Sequence, residues 1–141
     1  SAASDVYKRQ ALDSLRLAEE IQKRAEKQLA CFVEVNVSGE ESKQGISPDE
    51  LLPFLESLAS LTKIKVVGLM TMAPKDASAD QIRKVFGTLK ELRDLVQKKE
   101  LPHAPCTELS MGMSQDFQLA IEEGATFIRV GTALFKDEEE Q

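Results

Sequence analysis

Two short turns hold the residues best suited to chemistry. Ser110-Met111-Gly112-Met113-Ser114 and Gly131-Thr132 each follow a short apolar run, at 107–109 and 126–130. Small side chains and hydroxyls directly after a strand leave backbone N–H groups open to an anion, and a helix start adds partial positive charge. Ser114 stands where such a helix begins, so its hydroxyl and the first unpaired N–H groups suit a phosphate. Gly131 lets the chain approach a phosphate with no side chain in the way, and Thr132 adds a hydroxyl. A plain tight turn asks for the same residues, so spacing alone leaves both readings open. Arg129, two residues before Gly131, shares its strand face. It can serve a ligand or pair with a carboxylate such as Glu34 or Glu108.

Positioning those turns requires alternating strands and helices. Between them lies an amphipathic helix with Phe117, Ala120 and Ile121 on one face and Gly124 as its stop. Upstream, Leu12, Leu15, Ala18, Ile21, Ala25 and Leu29 recur at helical steps from residue 11 onward. Residues 31–37 read as a strand, with Val33, Val35 and Val37 on one side and Phe32, Glu34 and Asn36 on the other. Ser47-Pro48-Asp49-Glu50 is a helix start, although Pro53 demands either a later start or a kink. Residues 64–70 form the next strand, and Met70 and Met72 read as core filler at its end. Ser78 or Asp80 caps a long helix with Ile82, Val85, Phe86, Leu89, Leu92, Leu95 and Val96 as its apolar stripe and Arg93 on its wet side. His103, the single histidine, sits between prolines with no ligand or acid at useful spacing, and reads as a surface residue.

The order from residue 11 is therefore helix then strand, four times over. That is an α/β chain with four parallel strands, half of a (β/α)8 TIM-type barrel. A whole barrel needs about 200–250 residues, against 141 here, so a fragment is expected. Net charge is −6 with no basic, aromatic-interleaved patch, which argues against nucleic acid. No apolar run is long enough for a bilayer. Cys31 and Cys106 lack metal-ligand spacing and read as reduced, buried thiols of a cytoplasmic protein. Residues 1–10 carry no structural period and read as a non-native, adaptor-like leader; 11–136 form the half barrel, and 137–141 an acidic tail.

The stretch ELSMGMSQDFQLAIEEGATFIRVGTALF, residues 108–135, resembles the C-terminal signature of the pyridoxal-phosphate homeostasis protein family. The resemblance extends back through FVEVNVSGEESKQG, residues 32–45, and VGLMTM, residues 67–72. That family is a single-domain relative of the alanine racemase barrel, fold type III. The resemblance implies a carrier of pyridoxal 5'-phosphate in cofactor homeostasis, with no catalytic residue and with pyridoxal-phosphate-dependent apoenzymes as recipients. It implies that Ser114, Gly131 and Thr132 hold the phosphate and that Arg129 meets the pyridine nitrogen. It puts Lys43 near the cofactor mouth, where a solvated loop lysine is the plain alternative. Two departures stand beside the match: the family's cofactor lysine, on its first strand, has no counterpart here, and Lys136 replaces a usual glycine. A fragment of a fold-type III enzyme such as an amino-acid racemase, or an inactive fragment, is the alternative.

Overall fold

The structure is a computed structural model describing residues 10–39, 45–74, 76–111 and 121–124, with the backbone of 127–130 and 133–136. One sheet holds β1 (Gln10–Leu12), β2 (Leu29–Glu34), β3 (Ile64–Met70), β4 (Glu108–Ser110), β5 (Phe127–Val130) and β6 (Ala133–Lys136), side by side in chain order. β1 through β5 pair in parallel, and β6 turns back antiparallel against β5. The helices α1 (Leu15–Arg24), α2 (Leu51–Ser57) and α3 (Ala79–Lys98) fill the crossovers. The four expected strands are β2 to β5; β1 and β6 are additional. Three residues are too few to display a period, so β1 escapes a pattern reading. Gln10, read as leader, pairs with Cys31, and Leu12, read as helix, pairs with Val33.

Local chemistry explains the element ends. Ser14 caps α1, its hydroxyl accepting the Leu17 N–H at 3.2 Å, so the helix starts later than its apolar period suggests. Ser47 does not cap a helix: its hydroxyl donates to Glu50 Oε1 at 2.9 Å, and Pro48–Glu50 form a single 3-10 turn. α2 then starts at Leu51, which puts Pro53 third in the helix, where its missing N–H would have had no helical partner. Ser78 closes a full capping box with Gln81 at the start of α3. Arg93, expected on the wet side, is mostly buried and donates to the Thr107 carbonyl at 3.2 Å, tying α3 to the entry of β4. Leu95, assigned to the apolar stripe, is 44% exposed. His103 is half-buried and its Nε2 donates to the Leu55 carbonyl at 2.8 Å, a structural tie between α2 and the linker before β4.

Among the described residues, α1, α2 and α3 pack on one side of the sheet. Leu12, Val33, Leu69 and Leu109 form a continuous row across β1 to β4, each fully buried, and face Ala18, Leu55 and Leu89 in one core. On the other face Phe32 packs separately with Val67 and Met70. A doubly wound sheet reverses its strand order and carries helices on both faces. Monotonic order with helices on one face is barrel geometry. The N-terminal part of α3 meets the helix end at 121–124 through Arg83, whose Nη1 lies 2.6 Å from Glu122 Oε1. Gly124, with φ 103°, ends that helix as expected.

Two measurements check this packing. A Cβ at Gly68 would overlap the Glu108 backbone and come within 2.9 Å of the Phe32 ring. Gly68→Ala should therefore cost about 1–3 kcal/mol, read as a lowered denaturant midpoint. Burial pushes the Cys31 thiol up to about 11 and the Cys106 thiol up to about 12, from an ordinary 9.0. Because the folded values are raised, the thiols favour the fold fully below pH 9, and that contribution fades as pH climbs toward 12. Alkylation at pH 8 should leave both cysteines unmodified until denaturant is added; rapid labelling of either native thiol would contradict their burial.

Candidate functional site

Parallel strands deliver all their C-terminal ends to one edge, and the residues just beyond those ends form the site. On the face away from the helices, Glu34, Met70, Ser110 and Phe127 share one row across β2 to β5. Ser110 within that row and Thr71 one step beyond Met70 are buried polar residues, at 2% and 1% exposure. The Thr71 hydroxyl donates to the Val35 carbonyl at 2.7 Å, and its N–H donates to the Ser110 carbonyl at 3.1 Å. The chain beyond β2 is held from both ends. Asn36 Oδ1 accepts from Ser38 Oγ at 3.3 Å and from the Gly39 N–H at 3.2 Å. At the return, the Ile46 N–H donates to Glu34 at 2.8 Å and Ile46 accepts from the Asn36 N–H at 2.9 Å. Gly45, at φ 126°, must be glycine: a Cβ there would meet the Asn36 nitrogen at 2.9 Å.

Of the cofactor-site residues singled out in the sequence, only the backbone of Arg129 is among those described. Arg129 is on β5 at the second position after Phe127, beyond the row that holds Ser110, toward the mouth; its side chain lies outside the described residues. Lys43, Ser114, Gly131 and Thr132 lie outside the described residues as well, as do residues 1–9, the tail at 137–141, and Phe117 and Ala120 of the expected helix. In sequence, Gly39 and Gly45 flank the segment with Lys43 after β2, Met111 precedes the Ser114 segment after β4, and Val130 precedes Gly131 after β5, all following C-terminal strand ends on one edge of the sheet. Thr71 escaped the sequence reading as a site residue. The available signal was a hydroxyl directly after a seven-residue apolar strand, where the core face would otherwise continue.

A groove of about 620 Å³ opens beside this edge, between Val37, Ser38, Pro74 and the first turns of α3 at Gln81, Lys84 and Thr88. Its walls are on the helix side, and Gln81 and Ser38 already bond within the protein, to Ser78 and Asn36. It is not continuous with the Ser110 row. Among the described residues no group of His, Cys, Asp or Glu is arranged to hold a metal, and no helix is long and apolar enough to cross a membrane. The arrangement offers small polar strand ends and an apolar patch at Phe32, Val67 and Met70.

Comparison with known proteins agrees with this geometry. A pyridoxal phosphate homeostasis protein of Aquifex aeolicus is 48% identical over 130 residues, covering 88% of this chain and 55% of its own length. The structure of PipY from Synechococcus elongatus with pyridoxal phosphate bound superposes with a TM-score of 0.73 at 32% identity, over 87% of this chain and 57% of PipY. Alanine racemase of Corynebacterium glutamicum shares the fold at a TM-score of 0.67 and 16% identity, over 87% of this chain and 34% of its own. The chain thus spans about half the length of the curated relatives it matches. Residues 3–139 match the family described as alanine racemase, N-terminal domain. Parallel strands in sequential order, helices on one face and a family match over nearly the whole sequence lead to one conclusion: the chain belongs to the alanine racemase N-terminal domain family.

Proposed function

We propose that this chain is part of a pyridoxal 5'-phosphate-binding carrier that serves cofactor homeostasis and is not itself an enzyme. The observation that carries the reading is its 48% identity, over 88% of the chain, to a protein named for that role. The described strand ends fit the group. Asn36 and Ser110 are small and polar on the face away from the helices, and Phe32, Val67 and Met70 offer an apolar surface to a ring. In this reading Ser114, Gly131 and Thr132 hold the phosphate, Lys43 stands at the mouth for uptake or release, and Arg129 donates to the pyridine nitrogen. A guanidinium keeps its proton, so the ring nitrogen stays unprotonated and the ring is a weak electron sink. That suits holding a cofactor better than carbanion chemistry. When bound, the cofactor supplies an aldehyde that captures amines, and pyridoxal-phosphate-dependent apoenzymes of the cytoplasm are the proposed recipients. Likeness to racemases and decarboxylases at 14–18% identity extends to the fold alone.

A titration with pyridoxal phosphate tests the reading. The chain by itself should bind weakly and without a yellow band. Adding the remaining half of the Aquifex relative should restore affinity and colour, because proximity of a lysine to the aldehyde sets both. In the complemented protein Thr132→Ala should weaken binding by about 1 kcal/mol, and Arg129→Ala should alter the spectrum more than the affinity. A single stoichiometric adduct on Lys43 in the lone chain, found by mass spectrometry after borohydride reduction, would contradict the assignment. The division of the chain is part of the same proposal, with a leader that ends before Gln10, because Gln10 belongs to β1, then the half barrel to 136 and the acidic tail at 137–141. Deleting residues 1–9, which leaves β1 intact, should leave the melting temperature unchanged; a clear drop would make the leader part of the fold.

A further inference from the structure

We propose that Thr71 is a positioning residue of the cofactor site, tying the loop that returns at Ile46 to the turn that begins at Met111. The inference rests on the pyridoxal-phosphate reading above. β2 and β4 never pair; β3 separates them. Their loops must nevertheless keep a fixed separation if one cofactor is to meet both. Thr71 follows β3 directly and bonds to each neighbour: hydroxyl to the Val35 carbonyl at 2.7 Å, N–H to the Ser110 carbonyl at 3.1 Å. Val35 is the peptide next to Asn36, whose N–H donates to Ile46 at 2.9 Å, and Ser110 is the peptide next to Met111.

The N–H bond toward β4 is backbone and any residue but proline would supply it. Toward β2 the backbone gives one bond, from the Val35 N–H to the Met70 carbonyl at 2.8 Å, and the Thr71 hydroxyl adds a second on the Val35 carbonyl, so side-chain identity decides whether that peptide is held on both sides. Strand alternation puts Thr71 on the same face as Leu69, toward the helices, with 1% exposure. It therefore acts on a ligand through the loops and not by touching it. Valine copies the shape of threonine without the donor and removes one partner from a buried carbonyl; serine keeps the donor.

The test compares the full chain with Thr71→Val and Thr71→Ser in two measurements. In the unliganded chain, amide exchange at Asn36 and Ile46 should quicken about 10-fold in Thr71→Val, return close to the parent rate in Thr71→Ser, and stay unchanged at Val33 and Leu69. In a pyridoxal phosphate titration followed by 31P NMR, Thr71→Val should bind about 2- to 10-fold more weakly, the reach of one hydrogen bond, with Thr71→Ser near the parent. Unchanged exchange at Asn36 and Ile46, or equal quickening at Val33 and Leu69, overturns the tie. Altered exchange with unaltered affinity overturns the positioning role. The titration is run also on the chain complemented with the remaining half of the Aquifex relative; if that complex binds no pyridoxal phosphate, the cofactor reading falls and the positioning role with it, while the exchange arm still decides the tie.

Discussion

The close approach of β3 and β4 at Gly68 governs the arrangement of the mouth. The Glu108 backbone lies where a side chain of β3 would be, and Phe32 of β2 leans across the same space from the other side. Three strands are thus held in register at one point that has no room for a methyl group. The row Glu34, Met70, Ser110 and Phe127 and the Thr71 tie lie just beyond it. β4 pairs with β3 over three positions, and backbone bonds on either side, Cys106 N–H to Val66 and Thr71 N–H to Ser110, hold the level at which Ser110 meets the mouth.

β3 also carries the irregularity that suits it to this place. Between Cys31 and Phe32 the register slips, so that Cys31 faces Val66 and Phe32 faces Gly68. The slip spends one extra residue of β3, Val67, and brings the glycine opposite the aromatic ring. Bulge, glycine and ring form a single device for bending a parallel sheet where barrel strands must curve. The Phe32, Val67 and Met70 cluster on the face away from the helices is its by-product, and supplies the apolar surface at the mouth.

Much of this was legible in the residues themselves. The 3.6-residue stripe of α3 and the β-branched runs of β2 and β3 are long enough for periodicity to speak. β1 and β4 have three residues each, and such pieces are strands because their neighbours pair with them. Pro53 looked misplaced until Pro48–Glu50 formed a separate 3-10 turn, which moves the helix start to a place where proline fits. Arg93 carries the charge of a surface residue, yet it lies over the Thr107 carbonyl, a long-range relation that no local pattern displays. The proposed site divides the same way. Its glycine and hydroxyl turns stand out as composition and lie outside the described residues, whereas the bonds of Thr71 to Val35 and Ser110 cross two strands and leave no local pattern.

The strand order has a consequence for how the chain comes together. Every sheet neighbour is also a neighbour in sequence: Gln10 meets Cys31, Leu29 meets Ile64 and Gly68 meets Glu108. No strand waits for a partner from the far end of the chain. Loop closure is therefore demanded in short instalments, each spanning one crossover helix, and its entropic cost grows only slowly with span. A chain emerging from the ribosome can lay each strand and helix against the one already formed, and the mouth assembles in the order in which it is translated.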